Sequence, residues 1–126
     1  MNIICVDASR INLFGLQRRT KSIVPRASVY ICQNADQAAK LAREKGCDVL
    51  LTDIDMGGEN GEGIQLAERI QKINPRVNII FITACGEWEY AQEIMPLRIS
   101  GYVRKPYEPG ELVKEFENLR YAVGAE

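Results

Sequence analysis

The chain has 126 residues, of which 46% are hydrophobic and 26% charged, and its net charge is −1. This balance suits one globular domain, residues 1–126, and excludes a disordered chain. The near-neutral charge argues against binding nucleic acid through the domain's own surface, and no apolar run approaches the roughly 20 residues that cross a membrane. Since the N-terminus also lacks the basic segment of a signal peptide, we expect a cytoplasmic protein.

The sequence contains four cysteines, none of them in a Cys-x-x-Cys pair, and no histidine. Zinc sites built from cysteine and histidine are therefore not expected. A serine or cysteine nucleophile activated by histidine is excluded. Three of the cysteines lie in or beside apolar segments, where we expect them to be small buried hydrophobic residues.

Short apolar segments alternate with segments of helical spacing along the chain. The predicted strands lie at 2–6, 27–32, 47–52, 77–82 and 100–103. Apolar residues recur every three to four positions in the segments that follow them, which predicts five helices. These helices are expected at 10–23, 35–45, 62–73, 87–97 and from 109 to about 123. Near-continuous apolar strands separated by helices indicate a parallel sheet that is covered on both faces.

Several helix ends are marked by caps and breakers. Ser9 and Asn34 stand where an N-cap is needed by the first two helices. Pro25 and Gly46 follow the same two helices and are expected to end them. Pro109 suits the first turn of the last helix.

Four polar residues stand at the C-terminal ends of predicted strands: Asp7, Asp53, Thr83 and Lys105. Right-handed crossovers place these ends on one edge of a parallel sheet. Two neighbouring acids repel each other unless a cation lies between them, and Mg²⁺ prefers such oxygen ligands. A hydroxyl and an ammonium opposite a carboxylate suit the oxygens of a phosphoryl group. Since aspartate can act as a nucleophile, the pattern predicts phosphorylation of a carboxylate.

Four segments together resemble the receiver domain of the response regulators of two-component signalling. They are 3–7 (IICVD), 50–56 (LLTDIDM), 81–84 (FITA) and 101–106 (GYVRKP). They occur in the family's order and spacing and span essentially the whole chain. The resemblance implies a flavodoxin-like (βα)5 fold with a five-stranded parallel sheet of order 2-1-3-4-5. The chain is most similar to receivers that precede LytTR-type or related DNA-binding output domains.

The resemblance implies a role for each polar residue at the sheet edge. Asp53 is expected to accept the phosphoryl group. Asp7, Asp53 and the backbone carbonyl of Asp55 are expected to bind Mg²⁺. Thr83 and Lys105 are expected to bind the phosphoryl oxygens, so that the chain catalyses its own phosphotransfer without being a conventional enzyme.

The same resemblance implies a switch and a set of partners. Tyr102 is expected to turn inward when Thr83 moves toward the phosphate, and the Lys105–Pro106 bond is expected to be cis. The switch would alter a surface made by the fourth helix, fifth strand and fifth helix, which forms a homodimer or releases an output domain. The phosphodonor is expected to be a sensor histidine kinase or a small molecule, and DNA would be contacted only through a separate output domain.

The chain departs from the family pattern at two positions. The family has two adjacent acids after its first strand, whereas Asp7 is followed here by Ala8, which cannot bind a metal. Mg²⁺ binding is therefore expected to be weakened. Gly57 stands where the family often has proline, which loosens the loop after Asp53.

Two alternatives follow from the same residues. The first is a degenerate receiver that acts as a protein-interaction module without phosphorylation, and Ala8 favours it. The second is a flavodoxin-like binder of a small molecule such as a flavin. That reading needs a phosphate-binding loop after the first strand, where Asp7 places an acid instead.

Overall fold

The computed structural model describes residues 1–56, 61–86 and 89–119. Strands and helices alternate throughout these ranges. The strands are β1 (Asn2–Val6), β2 (Ser28–Cys32), β3 (Val49–Thr52), β4 (Asn78–Thr83) and β5 (Ile99–Arg104). The helices are α1 (Arg10–Ile23), α2 (Ala35–Lys45), α3 (Glu62–Ile73), α4 (Ala91–Ile94) and α5 (Pro109–Asn118).

The five strands form one parallel sheet in the order β2-β1-β3-β4-β5. In the middle of the sheet Ile4 of β1 pairs with Tyr30 of β2 on one side and with Leu50 of β3 on the other. The pairing of β4 with β5 shifts register between Ile79 and Ile80. The predicted flavodoxin-like fold and its strand order are confirmed, and the C-terminal ends of all five strands meet at one edge.

Two hydrophobic clusters cover the two faces of the sheet. Neighbouring residues of a strand point to opposite faces, so Ile4 belongs to one cluster and Cys5 to the other. The first cluster is closed by buried residues of α2 and α3, such as Ala39 and Ile70. The second is closed by α1 and α5, where Phe116 is fully buried. The molecule is therefore a three-layer sandwich in which β1, β3 and β4 are buried on both faces, whereas the edge strands β2 and β5 are partly exposed.

The predicted caps of the first two helices are confirmed. The Ser9 side chain accepts a hydrogen bond from the backbone N–H of Asn12, and Asn34 accepts one from Gln37. Gly46 ends α2 with a φ of +84°, a conformation that favours glycine. Local sequence signals were sufficient here because each cap involves residues three positions apart.

Helix α4 is much shorter than the predicted helix at 87–97. In the structure it is one turn, and positions 87 and 88 lie outside the described residues. Pro96 lacks a backbone N–H and cannot continue a helix, and Leu97 instead closes a turn onto the carbonyl of Ile94. The apolar spacing of this segment therefore reflects packing of a turn rather than a long helix. The part of the last helix predicted around Val123 also lies outside the described residues.

All four cysteines are buried and none forms a disulfide. Burial raises the pKa of Cys5 and of Cys47 to about 12, so both are neutral thiols at physiological pH. No helix within the described ranges has the length and apolar character needed to cross a bilayer.

Candidate functional site

The C-terminal edge of the sheet brings the predicted charged residues together. Asp7 follows β1, Asp53 follows β3 and Lys105 follows β5. The Lys105 Nζ atom lies 2.7 Å from Asp7 Oδ2 and 2.9 Å from Asp53 Oδ2. One ammonium is therefore shared by two carboxylates that are 98 and 52 residues away in sequence.

This three-residue charge cluster is largely removed from solvent. The side chains of Asp7, Asp53 and Lys105 are 10%, 15% and 23% exposed. Burial alone would disfavour the charged ammonium, but the hydrogen bonds to both carboxylates outweigh it and raise the pKa of Lys105. Two carboxylates thus share a single ammonium in this cluster.

The backbone around Asp53 is fixed by a close approach of α3. The N–H of Asp53 donates to the carbonyl of Val6 at 3.1 Å, and the N–H of Gly63 donates to the carbonyl of Ile54 at 2.7 Å. A Cβ atom at Gly63 would overlap the carbonyl oxygen of Asp53 and lie 2.8 Å from its carbonyl carbon. Only glycine allows the helix to start this close to the end of β3.

Asp7 is held by the turn that starts α1. Its Oδ1 atom accepts a hydrogen bond from the backbone N–H of Ser9 at 2.9 Å, which leaves Oδ2 for Lys105. Ala8 between them is exposed and places no polar side chain at this edge. The acid pair expected of the family is thus reduced to one carboxylate.

The oxygen donors at the edge fit a hard divalent cation, although Ala8 leaves them with one negative charge fewer than the family pattern. Because Lys105 Nζ contacts both Asp7 Oδ2 and Asp53 Oδ2, a single cation at this edge can contact both oxygens, and carboxylate oxygens are ligands that Mg²⁺ prefers. Asp55 can add only its backbone carbonyl, since its carboxylate is bound elsewhere. No group of three or more acidic or cysteine side chains that could hold a metal occurs among the described residues.

The carboxylate of Asp55 is the centre of a second network. Its Oδ1 atom accepts hydrogen bonds from the backbone N–H of Gly61 at 3.0 Å and from the hydroxyl of Tyr90 at 2.9 Å. Its Oδ2 atom accepts one from the thiol of Cys85 at 3.0 Å. We call these four residues the Asp55 clasp. The sequence analysis assigned Asp55 only a backbone role and missed this side-chain network.

The hydrogen bonds of the Asp55 clasp set the protonation of its members. Burial would raise the pKa of Asp55, but the bonds from Cys85, Tyr90 and Gly61 outweigh it and lower that pKa. Burial and then the bond to Asp55 raise the pKa of Cys85 to about 11. The bond to Asp55 is the main cause that raises the pKa of Tyr90 to about 12. At neutral pH the clasp therefore consists of a charged acceptor and neutral donors.

Thr83 and Tyr102 both contact Cys85 rather than the charge cluster. The buried Thr83 Oγ1 atom accepts a hydrogen bond from the N–H of Cys85 at 3.3 Å. The half-buried Tyr102 donates its hydroxyl to the carbonyl of Cys85 at 2.8 Å, and its ring meets Phe81 edge-on at 6.2 Å. The two residues predicted to form the switch are therefore linked through one backbone position. The Lys105–Pro106 bond is cis, as predicted.

An open groove leads from Asp53 along α1. Its volume is about 690 Å³, and its lining includes Asp53, Lys105, Gly15 and Tyr107. A Cβ atom at Gly15 would meet nothing within 4 Å. Ile11, which lines the groove, is 83% exposed, and Phe14, which lines a separate pocket with Ile31, is 49% exposed.

The chain is similar to solved structures of response regulators. One is the N-terminal domain of a response regulator/sensory box/GGDEF three-domain protein from Carboxydothermus hydrogenoformans, with 25% identity, a TM-score of 0.81 and coverage of 95% of this chain and 94% of that one. Another is a LuxR-family two-component response regulator from Aurantimonas sp. SI85-9A1, with 26% identity, a TM-score of 0.80 and coverage of 94% and 83%.

Curated relatives are similar over most of this chain but are longer than it. The transcriptional regulatory protein YesN of Bacillus subtilis is 28% identical over 123 residues, which cover 93% of this chain and 32% of YesN. NatR of the same species is 29% identical over 112 residues, which cover 89% and 46%. This chain thus spans less than half the length of either relative. The sequence model of the response regulator receiver domain matches residues 3–117, and the chain belongs to that family.

Proposed function

We propose that this receiver domain accepts a phosphoryl group on Asp53. The observation that carries the proposal is the position of Lys105 Nζ between Asp53 and Asp7. Two carboxylates thus lie within hydrogen-bond distance of one ammonium, and we take Asp53 as the nucleophile. This is the arrangement required to bind a phosphoryl group and to neutralise its charge.

The chain's own residues divide the chemistry among them. An Asp53 carboxylate oxygen forms the bond to phosphorus as the leaving group departs with its electron pair. The phosphoryl group brings a charge of about −1.5 to −2 and three acceptor oxygens. Lys105 offers an ammonium to one of these oxygens, and Thr83 offers its hydroxyl to another once it turns from Cys85.

Mg²⁺ would be held by Asp7, Asp53 and the backbone carbonyl of Asp55. The ion supplies positive charge that stabilises the phosphoryl oxygens during transfer. The two carboxylates already bind a cation in the form of Lys105. Because Ala8 contributes no ligand, we propose weaker Mg²⁺ binding than in a receiver with an acid at this position.

The proposed phosphodonor is the kind of partner that receiver domains take, a sensor histidine kinase. A donor histidine must reach Asp53 through the open groove beside α1. The exposed Ile11, which lines the groove, gives the kinase an apolar contact on this path. A small acyl phosphate can enter the same groove.

The proposed output is control of transcription through a separate domain. YesN and NatR are named transcriptional regulators and extend beyond the segment they share with this chain, so residues 1–126 are proposed to be one receiver domain of a longer regulator. Phosphorylation would draw Thr83 inward and let Tyr102 follow it. The altered surface of α4, β5 and α5 would then form a homodimer or release a DNA-binding domain.

The test is modification of the purified chain by acetyl phosphate with Mg²⁺, followed by intact mass measurement. Wild type should gain the mass of one phosphoryl group, and Asp53→Asn should not. Asp36→Asn is the matched control because the side chain of Asp36 is 91% exposed on α2. Equal modification of wild type and Asp53→Asn would exclude Asp53 as the acceptor.

A second candidate is an interaction module that works without phosphorylation. It is favoured by Ala8 together with Lys105, since the two carboxylates are already satisfied without a metal. In this case acetyl phosphate and Mg²⁺ would leave the mass unchanged, although the chain remains folded. The same mass experiment therefore separates the two candidates.

A further inference from the structure

The Asp55 clasp joins two segments at the C-terminal edge of the sheet. Gly61 stands immediately before α3, on the segment that follows Asp53. Cys85 and Tyr90 flank the segment between β4 and α4. The Asp55 carboxylate accepts hydrogen bonds from both segments at 2.9–3.0 Å. Bonds to a charged acceptor are stronger than those between neutral groups, so this is a firm cross-link.

Packing strengthens the same cross-link. Gly61 has a φ of +65°, and a Cβ atom there would lie 3.1 Å from Cε1 of Tyr90. The Tyr90 ring thus rests against the backbone of the β3–α3 connection while its hydroxyl binds Asp55. Tyr90 is also the residue whose carbonyl accepts the first hydrogen bond of α4, from Ile94 at 3.0 Å. The start of α4 is therefore fixed by the clasp.

Two residues of the clasp each form one hydrogen bond with a residue of the proposed phosphorylation site. The N–H of Asp55 donates to Asp53 Oδ1 at 3.3 Å. The N–H of Cys85 donates to Thr83 Oγ1 at 3.3 Å. The clasp thus connects the proposed acceptor and the proposed phosphoryl ligand by a path that does not pass through Tyr102.

We propose that the Asp55 clasp couples Mg²⁺ binding beside Asp53 to the position of α4, with Asp55 and Tyr90 as positioning residues. The inference rests on the proposed function. Since the clasp holds the Asp55 side chain away from the charge cluster, it fixes the direction of the Asp55 backbone carbonyl, the proposed third ligand. Coupling of binding equilibria is reciprocal: the clasp strengthens Mg²⁺ binding, and Mg²⁺ binding stabilises the first turn of α4.

The test is an NMR titration of ¹⁵N-labelled chain with Mg²⁺, read at the amides of Asp53, Gly61 and Ile94. Tyr90→Phe removes only the hydroxyl of the clasp. We expect it to weaken Mg²⁺ binding about fivefold or more and to reduce the Mg²⁺-induced shift of Ile94. Tyr30→Phe is the matched control on the edge strand β2 and should behave like wild type.

A second pair of variants protects the test against a loss of folding. Cys85→Ser keeps a hydrogen-bond donor and should retain near wild-type Mg²⁺ affinity, whereas Cys85→Ala should weaken it. Without metal, amide hydrogen exchange at Ile94 should be faster in Tyr90→Phe than in wild type. If the role of Cys85 is merely structural, the stability of these variants should change. The Mg²⁺ affinity of Cys85→Ser should then not exceed that of Cys85→Ala.

The outcomes separate the clasp from the function on which it rests. If Mg²⁺ shifts the amide resonances of Asp53 and Ile94 by the same amounts in wild type as in Tyr90→Phe, and with the same affinity, the coupling is refuted and the metal site stands. If Mg²⁺ shifts the amide resonance of Asp53 in none of the variants, the metal site is absent and the coupling is refuted with it.

Discussion

At the scale of single residues, Lys105 shows how one ammonium can be the shared partner of two acids. Its ammonium satisfies both Asp7 and Asp53, which are mostly buried and would otherwise repel each other. An acid at position 8 would add a further negative charge to a cluster in which two carboxylates already share one ammonium. We therefore expect residue 8 to affect how strongly the proposed site binds an additional cation.

Replacing Ala8 with Asp should make the site bind Mg²⁺ more tightly and make the fold depend more on the ion. The added carboxylate lies beside Asp7, so it should lower the melting temperature in the presence of EDTA and raise Mg²⁺ affinity about tenfold, or about 1.4 kcal/mol. Calorimetric titration with Mg²⁺ measures the affinity, and thermal unfolding with and without Mg²⁺ measures the stability. Ala8→Asn is the control, since it adds oxygen without charge. Equal affinity in Ala8→Asp and wild type would contradict the assigned metal position.

Tyr90 gives a prediction for pH dependence. The bond to Asp55 raises the Tyr90 pKa from 10.0 to about 12, so the stability due to this bond is fully present below pH 10 and is lost as pH rises from 10 to 12. The phenolate absorbance of wild type minus that of Tyr90→Phe should show a titration near pH 12. When both proteins also carry Asp55→Asn, the midpoint of this difference should move toward pH 10. An unmoved titration in Asp55→Asn would show that the carboxylate is not the cause.

At the scale of elements, two glycines inside helices differ in the space around them. Gly63 in α3 lies so close to Asp53 that a Cβ atom would overlap its carbonyl, whereas a Cβ at Gly15 in α1 meets nothing within 4 Å. The first glycine is required by packing, and the second lowers the stability of its helix without a packing reason within the described residues. Gly15 lines the groove beside Asp53.

Substituting alanine for each glycine tests this distinction. Gly63→Ala should destabilise the chain by roughly 1–3 kcal/mol, because α3 must move away from β3. Gly15→Ala should stabilise it by roughly 0.5–1 kcal/mol, since alanine favours a helix. Urea unfolding of both variants measures the difference. Similar free energies of unfolding for the two variants would contradict the close approach of α3 to Asp53.

Local sequence signals predicted the strands and helices, but they overestimated the length of α4 and missed the Asp55 clasp. Caps such as Ser9 follow from contacts within one turn, so sequence alone is sufficient for them. Around α4 the helical spacing of apolar residues continues past Pro96. The helix nevertheless ends before this proline, because proline cannot donate a backbone hydrogen bond. The clasp joins Asp55 to Cys85 and Tyr90, 30 and 35 residues away. No periodicity encodes such a contact, because it depends on how two loops meet above the sheet.

At the scale of the whole molecule, the sheet order and the polar edge were predictable for one reason. Five apolar segments alternating with helices restrict the chain to a few parallel topologies, and every such topology places Asp7, Asp53 and Lys105 on one edge. The sequence could not show that Lys105 contacts both acids at once. That contact depends on the spacing of β1, β3 and β5, which is fixed only when both faces of the sheet are packed.

The shared ammonium has a consequence for how a response begins. Lys105 is a counterion tethered to the chain, and its local concentration does not depend on the salt around the protein. Mostly buried pairs of this kind are also poorly screened. In the proposed mechanism this ammonium is in place before a phosphodonor or a metal ion arrives, so a response would require the exchange of one cation for another rather than the folding of a loop.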